Sequence, residues 1–187
     1  MRKLVVSEFV SLDGVMEDPG GAEGYTFGGW TMPYWSEELG VFKAEELFAA
    51  DALLLGRVTY EGFAAAWPGR TDEQGFAEHM NGVRKYVVSS SLARVDWNNS
   101  TILRGNLVEE IDEIKQAPGG DILVAGSATL VQALLRHQLV DVLRLAVYPI
   151  LLGQGKRLLV DAGYAKLELA HQQATSNGVL LLSYKRA

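Results

Sequence analysis

The chain has 187 residues, 48% hydrophobic and 21% charged, an ordinary balance for one globular unit with a full-sized core. A net charge of -6 argues against nucleic acid or an anionic membrane as partner and leaves room only for a local basic pocket. Cysteine is absent, which excludes disulfides, thiol nucleophiles and zinc-thiolate sites, and His79, His137 and His171 have no metal-ligand spacing.

Residues 3–12 predict a first strand, rich in Val and Phe and stopped by Asp13-Gly14. Residues 15–34 follow without any period and are dense in Gly, Pro and aromatics. A loop of that length in a compact domain is expected to be a mobile lid or binding segment. Ser36 can cap a helix over 37–50, whose Leu39, Phe42, Glu46, Leu47 and Phe48 give an amphipathic but imperfect apolar stripe. Strand 52–55, helix 57–67, a short helix over 72–80 and strand 85–88 come next, then a weak strand 101–103, helix 107–116, strand 121–125 and helix 128–137.

Beyond residue 140 the alternation stops. Segments 140–152, 166–174 and 179–184 all read as strands, with Ser176-Asn177-Gly178 as a hairpin turn. The pattern predicts an α/β fold with a mixed, mostly parallel sheet flanked by helices and antiparallel C-terminal strands, in a single domain over 1–187. No 18-residue apolar run and no signal-peptide pattern occurs, so a cytoplasmic protein is expected. The apolar run Tyr148-Pro149-Ile150-Leu151-Leu152 is expected to be exposed and to favour a homodimer.

Two junctions carry the functional signal. In Leu55-Gly56-Arg57-Val58-Thr59 and in Val124-Ala125-Gly126-Ser127-Ala128-Thr129, a short apolar strand meets glycine and then a hydroxyl-bearing helix start. Free backbone N–H groups and the positive helix end can face an anion at such a place. The plain alternative is a turn that uses the positive φ open to glycine.

These segments, with Ser11-Leu12-Asp13-Gly14, Val87-Val88-Ser89-Ser90, Val140-Asp141 and Tyr148 through Gly155, resemble the dihydrofolate-reductase-like superfamily. The closest resemblance is to its branch containing the reductase domain of bacterial riboflavin biosynthesis and that domain's stand-alone relatives. The resemblance spans nearly the whole chain. It implies NADPH lying across the carboxyl ends of the strands and hydride transfer to a pterin-, pyrimidine- or flavin-precursor-like ring.

By that resemblance Gly56, Arg57 and Thr59 would meet cofactor phosphates, Ser89 and Ser90 the 2′-phosphate, and Gly126, Ser127, Ala128 and Thr129 the pyrophosphate. In dihydrofolate reductases the peptide within this last turn is cis; for Ala125-Gly126 the question stays open. Glu38 stands where the substrate carboxylate would be and is expected to have a raised pKa suited to proton donation. The bland role of a glutamate there is to complement the helix dipole. Asp13 is read equally as a residue near substrate or as a turn residue, and Trp30 as a stacking surface for a flat ring. The expected protein is an NADPH-dependent reductase of a small heterocycle. The alternatives are an NADP(H)-binding protein without turnover and an oligomeric scaffold with a degenerate pocket.

Overall fold

The computed structural model describes residues 1–187. Its strands are β1 (Leu4–Ser11), β2 (Ala50–Gly56), β3 (Arg84–Val88), β4 (Ser100–Leu103), β5 (Asp121–Ala125), β6 (Val142–Tyr148), β7 (Leu167–Ala174) and β8 (Leu180–Arg186). The helices are α1 (Glu37–Ala49), α2 (Arg57–Ala66), α3 (Phe76–Gly82), α4 (Leu107–Gln116) and α5 (Ala128–Arg136). They flank one sheet in the order β4-β3-β2-β5-β1-β6-β8-β7. The first six strands run parallel, and β8 and β7 add antiparallel. This is the predicted fold class. None of the helices is long and apolar enough to cross a membrane.

Alternation along β1 decides which helix covers which side. Leu4, Val6 and Val10 pack with Ile111 and Ile114 of α4 and Leu130, Val131 and Leu134 of α5. Val5 joins Leu47 of α1, Tyr60 of α2 and Met80 of α3 on the opposite face. A third cluster, between α1 and the 15–34 segment, centres on Tyr148, which is fully buried. The rings of Phe9, Trp30 and Tyr34 meet it edge-on at 5.8, 5.1 and 5.7 Å between centroids, the arrangement their quadrupoles favour.

Glu46, the charged interruption of the α1 stripe, is buried because it has partners. Ser7 Oγ donates to its carboxylate at 2.7 Å, Lys43 pairs with it one turn back, and Arg144 Nε lies 3.4 Å away. Lys43 Nζ also donates to Ser7 Oγ at 2.8 Å, which closes the network.

Several expectations change. The 15–34 segment was expected to be mobile, yet it is cross-tied around buried Asp18, whose carboxylate accepts from the N–H groups of Ala22, Glu23 and Tyr25 at 2.7, 3.0 and 3.1 Å. Gly28 lies against that carboxylate: a Cβ there would be 2.3 Å from Asp18 Oδ2, so only glycine fits. Strand β6 ends at Tyr148 instead of continuing to residue 152, because Pro149 follows and the chain turns. The 148–152 run is therefore not an exposed apolar stripe; Tyr148 and Leu152 are buried and Leu151 is the large apolar residue left outside.

Asp18→Ala should remove the acceptor for three loop amides. We expect hydrogen exchange across 19–31 to accelerate and global stability to fall by about 1–3 kcal/mol, the usual cost of leaving such groups unpaired. Mass-spectrometric exchange and a urea melt check it; unchanged exchange in this segment would show that the aspartate does not organise it.

Candidate functional site

Parallel strands bring the carboxyl ends of β4, β3, β2, β5, β1 and β6 to one edge, where the two strand-Gly-helix junctions become neighbours. Their contact is direct. Ser127 Oγ accepts from Gly56 N at 2.9 Å, and a Cβ on Gly126 would lie 3.0 Å from Thr59 Cγ2 and Oγ1. Gly126 and Ser127 both adopt left-handed conformations, at φ 62 and φ 63. Glycine takes this freely, whereas serine is held there at a cost of about 1–2 kcal/mol, offset in part by its bond to Gly56. The chain contains no cis peptide, so the turn at Ala125-Gly126 is trans and is made by these paired left-handed residues.

Because Ser127 spends its hydroxyl on the other junction, it does not cap its own helix. Helix α2 likewise begins at Gly56 with no side-chain cap. The other three helices are closed: Ser36 accepts from Leu39 N in α1, Asn106 accepts from Val108 N and Glu109 N in α4, and the Asp72 carboxylate accepts from Phe76 N and Ala77 N at α3. Open first-turn N–H groups thus occur at the two helices that meet, and chemically such a pair can take an anion.

Farther along the same edge, Ser89 Oγ accepts from Leu92 N at 3.0 Å and shapes the turn after β3, while Ser90 is exposed. Arg104, just past β4, donates to the Ser90 carbonyl at 3.2 Å and to the Leu92 carbonyl. It lies about three strand spacings, or ~14 Å, from the Gly126 turn. Sequence reading passed over it; its signal was a lone basic residue at a strand's carboxyl end. Arg57 is exposed and paired with Glu61 at 2.8 Å, one helical turn on.

The residues expected on the substrate side behave differently. Asp13 is a staple: it accepts from Ser11 Oγ at 2.6 Å and from Leu152 N and Gly153 N at 3.2 and 2.8 Å, with Arg157 3.6 Å away. The Ser11 hydroxyl and these amides hold its carboxyl down at about 2, so it is ionised and occupied. Glu38 was expected to hold a proton. Instead its pKa is lowered, by its own backbone N–H, then Ser36 and the N–H of Ser176.

Glu38 also opens away from the junctions. It faces a groove of about 560 Å³ between α1 and the C-terminal strands, shared with Glu45, Arg144 and His171. Trp30 is not a stacking platform: only 5% of it is exposed, and its indole N–H donates to the Glu17 carbonyl at 2.8 Å. Its ring is used up against Tyr148.

Sequence reading also passed over Glu8, on β1 beneath the Gly126 turn. Its Oε2 accepts from Gly126 N at 3.0 Å. Oε1 is buried without a partner. Burial pushes its pKa well above the ordinary glutamate value, opposed by Lys43 and by the Gly126 N–H, with Glu46 adding to the rise. The available signal was a lone glutamate inside an apolar strand.

This mixed α/β sheet, with two open helix ends on its carboxyl edge, is shared with known proteins. The family model for the RibD C-terminal domain matches residues 2–181, and the chain belongs to that family. It is 27% identical over 187 residues, covering 98% of this chain and 94% of the relative, to the uncharacterized protein YyaP of Bacillus subtilis. Among solved structures, a putative riboflavin biosynthesis protein from Shewanella sp. PV-4 superposes with a TM-score of 0.74 at 18% identity, covering 99% of each chain. A pyrimidine reductase-like protein from Corynebacterium diphtheriae gives 0.66 at 14% identity, over 100% of this chain and 92% of the other. Dihydrofolate reductase from Enterococcus faecalis, solved with NADP(H), gives 0.64 at 17% identity, over 98% and 96%. These structures establish the shared fold.

Asp13→Asn should weaken the tie between the β1 turn and residues 152–153. Asp13 has a depressed folded pKa, so its contribution is present above the ordinary aspartate value near 3.9 and is lost as pH falls toward about 2. Wild type should therefore lose its stability advantage over the variant between pH 4 and 2. Parallel curves in thermal melts across that window would contradict the staple.

Proposed function

We propose that this protein is an NADPH-dependent reductase of a small planar heterocycle. The observation that carries the reading is the pair of uncapped helix N-termini locked together through Gly56 and Ser127, with a serine-arginine corner farther along the same edge. Their chemistry fits a dinucleotide. The first-turn N–H groups of Arg57, Thr59, Ala128 and Thr129 would take the pyrophosphate, with Gly126 allowing close approach. Ser89 shapes the turn, and Ser90, Arg104 and Arg57 would take the 2′-phosphate by charge-assisted hydrogen bonds.

When bound, the nicotinamide supplies the hydride. The chain supplies orientation and shelter, with half-buried Phe9 and the Lys43–Ser7–Glu46 network on the α1 side of β1. A second reading, NADP(H) binding without turnover, draws support from the ionised state of Asp13 and the lowered pKa of Glu38, neither of which suits proton donation. Consumption of NADPH absorbance with pterin-, pyrimidine- and flavin-precursor-like substrates separates the two: turnover with any supports the enzyme, and saturable binding without turnover supports the second.

NADPH should bind more tightly than NADH. Arg104→Ala and Arg57→Ala should each weaken NADPH by roughly tenfold to a hundredfold, the range for a lost charge-assisted bond of about 1.5–3 kcal/mol, and leave NADH nearly unchanged. Equal calorimetric affinities for the two cofactors would remove the 2′-phosphate assignment. Glu38→Gln should change turnover by less than about threefold, since the group holds no proton to give.

The reading includes a homodimer. Its support is β7, which ends the sheet with all eight residues exposed, Leu167 and Leu169 among them. Light scattering of the purified chain should give twice the monomer mass; a monomer at all concentrations would dismiss it.

A further inference from the structure

Glu8 is the one carboxyl at this edge that is both fully enclosed and incompletely bonded. It is 4% exposed, and the Gly126 N–H is its sole hydrogen-bond partner, through Oε2. Oε1 has none, and no cation is within ion-pairing distance. On β6 the paired residue is Leu145, and on the same face of β1 the neighbours are Val6 and Val10, all apolar. The charged groups that reach it electrostatically come from α1: Lys43 and Glu46, which are already paired with one another. An ionised carboxylate in such a place is expensive to keep, since it lacks both solvent and a second donor. The neutral carboxylic acid avoids the charge and leaves only an unpaired O–H, a smaller cost than a buried unpaired charge.

Its position gives this chemistry a consequence. Gly126 is the residue whose left-handed turn delivers Ser127 to Gly56 and leaves the first turn of α5 uncapped. Glu8 holds the amide of that residue from below. A negative charge on Glu8 would lie at the foot of the turn that leads into the open N–H groups of Ala128 and Thr129, two and three residues after Gly126, and two negative charges so close oppose each other in a poorly solvated site.

We propose that Glu8 is a positioning residue of the nucleotide site and that it must carry a proton for a dinucleotide phosphate to bind above it. The inference rests on the nucleotide-binding reading and adds to it a specific residue and a linked proton. Binding of the anion draws a proton onto Glu8 when the pH lies above its free-state titration, so affinity falls as pH rises, by up to tenfold per unit once the free carboxyl is ionised.

The test uses the full-length protein and NADPH. Calorimetric titrations at fixed pH in buffers of different ionisation enthalpy should report net proton uptake on binding, and a carbon-detected NMR titration should place the Glu8 carboxyl above the ordinary glutamate value of about 4.3. Both measurements need only wild type. Glu8→Gln keeps an oxygen to accept from Gly126 N and cannot ionise; it should bind NADPH as well as wild type at low pH and lose the Glu8 share of the pH dependence. The ratio of the two affinities cancels the titration of the 2′-phosphate itself, which lies near 6. Glu8→Ala, which leaves the amide unpaired, should bind at least tenfold more weakly at every pH. If wild type and Glu8→Gln show the same pH profile and no difference in proton uptake, the inference is overturned while the nucleotide reading stands. If NADPH binds at no pH, the nucleotide reading falls and takes the inference with it.

Discussion

The edge of this sheet depends on one hydrogen bond between two turns, from Gly56 N to Ser127 Oγ. A serine at the start of a helix ordinarily closes that helix by capping its own amides. Here the left-handed backbone of Ser127 turns the side chain toward the neighbouring junction instead, and two helix ends stay open side by side. The conformation costs energy at Ser127 and is held by Gly56 above and Glu8 below, through Gly126. Strain sustained by several neighbours at a strand end is the kind of feature that marks a functional site.

Around that bond the ionisable groups divide by how well they are partnered. Asp13 has three donors and an arginine close by, so it is ionised and fixed, and it ties β1 to the segment after β6. Glu46 is as deeply buried as Glu8 but has Ser7, Lys43 and Arg144 around it. Glu8 has one amide. Glu8 and Glu46 are equally buried and differ in the number of their partners, so burial alone does not describe their surroundings.

The architecture also explains how a family can keep a fold while its chemistry drifts. The sheet, its two junctions and the β1 turn are backbone features sustained by glycines and by alternation of apolar residues. The groove beside α1 is made from side chains of α1 and the C-terminal strands. In this chain the carboxylate of Glu38 opens on a groove away from the junctions, and Lys43 takes the inward position five residues later. The strand-end junctions and the α1 groove are built from different elements, and a shared fold carries no particular substrate with it.

Local pattern determined much of this molecule. The alternation of strands and helices, the Ser36 cap, the hairpin at 176–178 and the two Gly junctions all follow from periodicity and turn chemistry within a few residues of each other, where short-range sterics and hydrogen bonding decide. Tertiary structure alone decided what lies across the sheet. The bond from Gly56 to Ser127 joins residues 71 apart, Glu8 meets Gly126 across 118, and Asp13 meets Gly153 across 140. No local propensity encodes such pairings. The ties within 15–34 are unreadable for the same reason: glycine content signals freedom in an isolated chain, and only the fold turns Asp18 inward, where its buried carboxylate organises the amides. Trp30 was read from residue type and Glu38 from the resemblance; neither reading could include their surroundings, an aromatic cluster and a ring of donors.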